Sequence, residues 1–275
     1  MACQTGEMAT PKNHSVQKAF ALLRSFRSPD EWLTNVELSR RSGFSEPSAH
    51  RLMRTLEEVG AVVRDKRGRY RPGMVLANLS KDVDVGDLIR ATSEDTLSSL
   101  ADRLKGVVHI GILEGGMVTY AAKFGEVAGV VVPSRAGAQQ EAYCSALGKI
   151  LLAGLSSRRL DDFLHDGGFV SLTPQTLTVV ADLRSEILTA GQRGYAVDNR
   201  EAFETICCIG VPIRDPEGKI FAAVSFADTS KNLCPTWQDE VVGQLTAVAE
   251  TVGRKIFPAA RNATIGAFSA SHSMR

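Results

Sequence analysis

The sequence predicts an α+β protein: an N-terminal winged helix-turn-helix, a linker helix, and a C-terminal domain built around an antiparallel sheet. Three observations predict it. Residues 32–73 run helix, glycine turn, helix, then two short strands joined by a basic loop. After Gly106 the hydrophobic period changes from helical to alternating, with hairpin signals between runs. Charge is also divided: residues 12–71 hold 13 Lys/Arg against 7 Asp/Glu, a net +6, while the whole chain is +1, leaving −5 on the remainder. A cationic N-terminal quarter on a mildly acidic body is the asymmetry expected when one domain meets phosphates and the other does not.

Val16, Ala19, Phe20, Leu23 and Phe26 form a helical stripe expected to pack under the helix-turn-helix as its first helix. Residues 34–41, capped by Thr34, read as the second helix and end in the turn Ser42-Gly43-Phe44. Residues 46–59 read as the third. Ser45 is a good N-cap because its hydroxyl can accept from a first-turn amide, and Pro47 costs little within that turn. Ala49, Leu52, Met53 and Leu56 form one apolar stripe. Pro47, Arg51, Arg54 and Glu58 point the other way, with Ser48, His50 and Thr55 on the flanks. Taken alone, that helix is more simply a solvated charged face. The preceding helix and the loop Asp65-Lys66-Arg67-Gly68 reverse the balance toward a helix that enters the major groove, where Arg can donate twice to guanine. The expected contacts to double-stranded DNA are Ser45, Pro47, Ser48, His50, Arg51 and Arg54, with Lys66, Arg67 and Arg69 on the wing.

Pro72-Gly73 ends the wing, and residues 74–85 read as the linker helix, with Leu76, Leu79 and Val83 on one side. The second domain, 86–257, opens with a helix carrying Ile89, Leu97, Leu100 and Leu104 and ending at Lys105-Gly106. Residues 107–113 and 117–123 are strands around Glu114-Gly115-Gly116, a hairpin signal, and 129–133 reads as a third. Helices are expected at 145–155, 157–164 and 180–193, and strands at 194–197, 206–213 and 219–227. Thr236 can cap a closing helix with the core stripe Val241, Val242, Leu245, Val248, Val252 and Ile256. Hairpin-joined strands with helices gathered at the ends indicate an α+β domain. Residues 1–14 and 258–275 read as disordered ends, and 15–73 as the DNA-binding domain.

Hydrophobic content of 44% and charged content of 23% suit a soluble globular protein. The longest apolar runs fall well short of the roughly 18–20 residues of a membrane span. Residues 1–14 lack the apolar core of an export signal, so a cytoplasmic location is expected. The five cysteines, Cys3, Cys144, Cys207, Cys208 and Cys234, are odd in number and lack Cys-x-x-Cys spacing. Neither a disulfide framework nor structural zinc is indicated. A catalytic thiol at Cys208 would need a base. His14 and His272 lie in the ends, His50 on the groove-facing helix and His165 at a helix end; His109, in an apolar strand, reads as a core histidine bonded to backbone. No catalytic residue, cofactor or metal is therefore expected, and the chain does not read as an enzyme. Redox sensing or metal binding by Cys144, Cys207 and Cys208 stands as a lesser alternative to cysteines acting as small hydrophobes.

Five stretches, in order, carry a resemblance: Ser15-Val-Gln-Lys-Ala-Phe-Ala-Leu-Leu; the helix-turn-helix with Pro47-Ser-Ala-His-Arg-Leu; Arg69-Tyr-Arg-Pro-Gly; Cys144-Ser-Ala-Leu-Gly-Lys-Ile-Leu-Leu-Ala; and Gly194-Tyr-Ala-Val-Asp followed by Cys208-Ile-Gly-Val-Pro-Ile-Arg-Asp. Over residues 15–257 the chain resembles bacterial transcriptional regulators of the IclR family. The resemblance implies a GAF-like effector-binding domain and homodimers made largely through the DNA-binding half, often paired as dimers of dimers (homotetramers). It also implies a small organic acid effector held by a helix start, an acid, a cysteine-bearing strand and a serine. Here these fall on Ser145, Ala146 and Leu147, then Asp198, Cys208 and Ser225. Amides at a helix start attract a carboxylate, and a few polar groups orient a ligand in an apolar pocket. Asp198 could instead simply cap a turn before Asn199-Arg200. Ala146 stands where the family often has Gly, and Ala227 where a second serine can occur. Both make the site less polar, which favours a bulkier or aromatic acid over one of two or three carbons. The function implied is ligand-responsive regulation, as repressor or activator, of a catabolic operon. The alternative is a small-molecule binding or redox-sensing protein that acts through a protein partner rather than DNA.

Overall fold

The computed structural model describes residues 13–258 except 29, 128, 130 and 230–234, and of 235–237 the backbone alone. The expected disordered ends, Cys3, Cys234, His272 and the Thr236 side chain lie outside the described residues, except that Asn13 and His14 begin the first helix. The chain separates into two compact units that divide between Val83 and Asp84.

The first unit holds α1 (His14–Leu23), α2 (Asn35–Ser42), α3 (Glu46–Glu58), β1 (Val62–Arg64), β2 (Tyr70–Pro72) and α4 (Met74–Lys81). Local chemistry sets each boundary. The Asn13 side chain accepts from the Ser15 and Val16 amides. Thr34 and Glu37 form a reciprocal capping box, and Gly43 closes α2 at φ 74°, a left-handed conformation that glycine adopts without steric cost. Leu22, Leu33, Leu38, Ala49, Met53, Leu56, Val62 and Tyr70 form the core. The first-helix stripe holds in part: Ala19, Leu23 and Phe26 pack against this core, but Leu22 is fully buried, whereas Val16 and Phe20 are 53% and 58% exposed. At 3.6 residues per turn Phe20 lies roughly 160° round the helix from Leu22, so both cannot face inward.

The second unit holds α5 (Val85–Leu104), β3 (Val107–Glu114), β4 (Met117–Phe124), β5 (Gln139–Glu141), α6 (Ala146–Ala153), α7 (Ser157–Asp166), α8 (Val180–Arg193), β6 (Ala196–Asn199), β7 (Ile206–Arg214), β8 (Ile220–Thr229) and α9 (Pro235–Ile256). Its strands form one six-stranded sheet in the order β5-β4-β3-β8-β7-β6, antiparallel throughout. Alternation sends Val108, Ile110, Ile209, Val211, Ile213, Val224 and Phe226 toward α5 and α9. The other face packs Val118, Tyr120, Ala196 and Ala223 against α6, α7 and α8. Among the described residues no helix is long and apolar enough to cross a membrane.

Three expected elements are corrected. The linker helix stops at Lys81, because Asp84 accepts from the Asp87 amide and starts a separate helix at Val85. The described residues of 129–133 are not a strand: Gly129 turns at φ 76°, Val131 is 88% exposed and Pro133 has no N–H to give a ladder. The strand in that region is instead β5, paired to β4 through Met117↔Glu141. The strand expected at 194–197 begins at Ala196, because Gly194 at φ 83° is the C-cap of α8.

Candidate functional site

On the first unit, α3 buries Ala49, Met53 and Leu56 and leaves Ser45, Pro47, His50, Arg51 and Arg54 exposed, with Ser48 half-buried. Ser45 has the extended backbone of an N-cap, but its hydroxyl caps no amide, contrary to expectation. The wing turn is built by Asp65, which accepts from the Arg67 and Arg69 amides at 2.9 and 2.8 Å and from Arg69 Nε at 2.8 Å. Arg69 is thus fastened to Asp65, with a second guanidinium contact at 2.7 Å, while Lys66 and Arg67 stand exposed at the tip. The sequence reading missed Trp32, whose ring carries the Arg69 and Arg71 guanidinium groups at 5.8 and 5.1 Å. An aromatic residue before the helix-turn-helix, followed by Arg at alternate positions in the wing, was the available signal.

On the second unit the expected effector residues gather on the sheet face under α6. Gly210 makes this possible: a Cβ there would lie 2.8 Å from the Ala146 carbonyl oxygen, so the first turn of α6 rests on bare backbone. Ser145 caps that turn, accepting from the Gly148 amide at 3.1 Å and donating to the Glu141 carbonyl at 3.1 Å. Two rows of side chains cross the sheet here. One is His109–Ser225–Gly210 and the next is Val107–Ala227–Cys208–Asp198. Ser225 is 2% exposed, and its hydroxyl has no hydrogen-bond partner among the described residues.

Asp198 is 1% exposed and accepts from the Glu201 amide at 2.6 Å and the Ala202 amide at 3.4 Å. It therefore caps the turn through Arg200, whose φ is 63°. Burial pushes its carboxyl up to about 7, against the pull of those amides. Burial, then Asp198, also hold the Cys208 thiol far above its ordinary range, and burial lifts Cys144 to about 12. Both sulfurs are protonated thiols, unsuited to nucleophilic attack. Among the described residues no group of three or more His, Cys, Asp or Glu could hold a metal ion.

His109 departs from expectation. Its Nε2 lies 2.7 Å from the Ser134 hydroxyl rather than on a backbone group, and its ring packs 4.9 Å from that of Tyr120. Burial, aided by Lys123, lowers its pKa to about 3, so the ring is neutral. The sequence reading missed Tyr120, whose hydroxyl donates to Gln140 and whose pKa is raised by burial first and then by Cys208, Asp198 and Cys144. It missed Lys149 too, although a lone lysine in the apolar run Ala146–Ala153 was a visible signal.

The chain was compared with known proteins. Residues 15–66 match the model of the IclR helix-turn-helix domain, and residues 83–254 match that of the bacterial transcriptional regulator IclR C-terminal domain. The HTH-type transcriptional regulator XynR of Escherichia coli is 30% identical over 219 residues, 79% of this chain and 86% of that protein. The crystal structure of Thermotoga maritima IclR superposes with a TM-score of 0.58 at 30% identity, covering 88% of this chain and 98% of that one. An IclR homolog from Microbacterium hydrocarbonoxydans, complexed with 4-hydroxybenzoate, has the same fold at a TM-score of 0.59 and 21% identity, covering 88% of this chain and 98% of that one.

Proposed function

The chain belongs to the IclR family of bacterial transcriptional regulators, and from that premise we propose that it switches a catabolic operon in response to a small organic acid. In this reading α3 enters the major groove with Arg51 and Arg54 facing the bases. Ser45, Pro47, Ser48 and His50 flank them, and Lys66, Arg67 and Arg69 lie along the sugar-phosphate backbone. Residues 15–73 bind DNA, 74–85 link, and 86–257 hold the effector. The protein works in the cytoplasm as a homodimer or a dimer of dimers. Val16 and Phe20 on α1, and Met74 and Leu79 on α4, are exposed and supply apolar surface for pairing through the DNA-binding half.

The effector acid places its carboxylate at the amides of Ala146 and Leu147, below the Ser145 cap, with Asp198, Cys208 and Ser225 around it. The observation that carries this is Ser225, 2% exposed in the sheet row beneath the first turn of α6, whose hydroxyl makes no hydrogen bond among the described residues. A buried hydroxyl without a partner is costly unless something else satisfies it. Effector action follows if the acid binds two conformations of the domain unequally.

The test is fluorescence polarisation of labelled DNA from upstream of the chain's own gene, titrated with and without candidate acids. Ser225→Ala and Asp198→Ala should keep the acid-free DNA affinity and blunt the acid response. A full response in both variants would place the effector elsewhere.

A further inference from the structure

We infer that this site selects an acid of a single negative charge that carries, away from its carboxylate, an uncharged hydrogen-bonding group, and that His109 and Tyr120 read that second group. The inference rests on the effector placement proposed above and adds the chemical class of the ligand.

Counting charges on the sheet face leads there. Two lysines rise from its walls, and both are committed. Lys149 Nζ donates to the Val197 carbonyl at 2.8 Å and pairs with Glu201 at 2.5 Å. Lys123 Nζ donates to the Val132 and Ser134 carbonyls at 2.8 and 3.1 Å. Among the described residues whose contacts place them here, what remains for an anion is the first turn of α6, equivalent to roughly half a positive charge. That suffices for one carboxylate. A second would be stripped of water beside Asp198 and against two neutral rings.

Those rings are suited to a neutral group. His109 is held through Ser134 and Tyr120 through Gln140, so both are oriented by partners behind them before any ligand arrives. His109 sits directly opposite Ser225 in the strand register, which puts side chains about 4.5–5.5 Å apart at Cβ. With the Tyr120 O–H given to Gln140 and His109 Nε2 held at Ser134, the phenol oxygen is left to accept and His109 Nδ1 to donate or accept, according to tautomer. Together they match a hydroxyl, a ketone or an amide, whereas a carboxylate would meet no cation.

Calorimetry of the full-length protein with two matched series decides the matter: benzoate, 4-hydroxybenzoate and terephthalate; and butyrate, 4-hydroxybutyrate and succinate. In at least one series the hydroxy monoacid should bind about tenfold or more tightly than both the plain monoacid and the diacid, as one well-made hydrogen bond allows. Tyr120→Phe and His109→Gln should cut that preference to about threefold or less, with circular dichroism and thermal unfolding reporting that the variants fold. A diacid binding tightest, or a plain monoacid matching its hydroxy analogue, overturns the inference and leaves the effector reading standing. A preference that survives in both variants overturns the assignment to His109 and Tyr120. Absence of binding by all six acids overturns the acid-effector reading itself, and this inference with it.

Discussion

Lys149 and Glu201, 52 residues apart in sequence, form an ion pair at 2.5 Å whose side chains are 1% and 6% exposed. The pair joins α6 to the turn that Asp198 caps. The hydroxyls of Thr173 and Thr176 donate to the Glu201 carbonyl, and Glu201 Oε2 is buried without a partner among the described residues. Lys149→Met would strand the carboxylate and should cost the effector domain about 3–5 kcal/mol, the usual penalty for halving a buried pair. Lys149→Met combined with Glu201→Leu should recover much of that loss in urea unfolding. An equal loss in the single and double variants would show that the two charges are not coupled.

Asp198 and His109 should give opposing pH dependences. Asp198 titrates about 7 in the folded state against an ordinary 3.8. Between those values the folded chain holds a proton that the unfolded chain has released, so this group's stabilisation falls as pH rises. His109 titrates about 3 against 6.5. Over that window the unfolded chain holds the extra proton, and stability climbs with pH. The two slopes oppose each other where the windows overlap. Relative to wild type, the stability of Asp198→Asn should rise more steeply with pH there, and that of His109→Phe should fall. Parallel curves for all three proteins would contradict the protonation states argued for this face.

On the DNA-binding unit, Arg51→Ala should cost roughly 1–3 kcal/mol and relax preference at one base pair, as for an arginine that reads guanine. Arg67→Ala should weaken all sequences alike and lower the salt slope by about one. Because Arg69 is fastened to Asp65, Asp65→Ala should reproduce the effect of Arg69→Ala by loosening the turn. Footprints across a salt series separate these outcomes. An unchanged footprint in Arg51→Ala and Arg67→Ala would mean that another surface reads DNA.

Gly210→Ala places a methyl group 2.8 Å from the Ala146 carbonyl oxygen, closer than any relaxed contact. The start of α6 must lift, and acid affinity should drop by about tenfold or more with acid-free operator binding intact. Retained affinity would show that the anchor is not at this helix start.

Phe20→Asp and Leu79→Asp, at positions 58% and 66% exposed, should leave the fold unchanged and shift sedimentation toward monomer. Operator affinity should fall with them. A dimer that persists in both variants would place the pairing surface on other residues.

The DNA-binding unit was the more legible in sequence, because its signals are local. Thr34 with Glu37, Gly43 and Pro47 set helix ends within a few residues of themselves. The edge strand Gln139–Glu141 was not legible: three polar residues show no alternation, and only the register with β4 makes them a strand. The valines near 131 misled for the converse reason, since apolar residues suggest a strand whether or not a neighbour exists to pair with. In the proposed effector site, Ser145, Asp198, Cys208 and Ser225 came from family resemblance, and pattern alone would not have joined them. Glu201 and Tyr120 escaped because their roles depend on contacts 52 residues away and on a bulge between Ile110 and Gly111. The burial of Asp198 escaped as well, since a carboxylate beside Asn199 and Arg200 reads as surface.

The first turn of α6 rests on Gly210, with its cap already spent on Gly148, so what it offers a carboxylate is main chain. Amide groups survive any side-chain replacement at Ala146 or Leu147 short of proline. On the proposed reading, mutation could reshape the surrounding walls at His109, Tyr120 or Ala227 and change which acid is recognised, without discarding the ability to hold an acid at all. A library randomised at those three positions, selected on reporter output, would then be a practical route to sensors for new compounds.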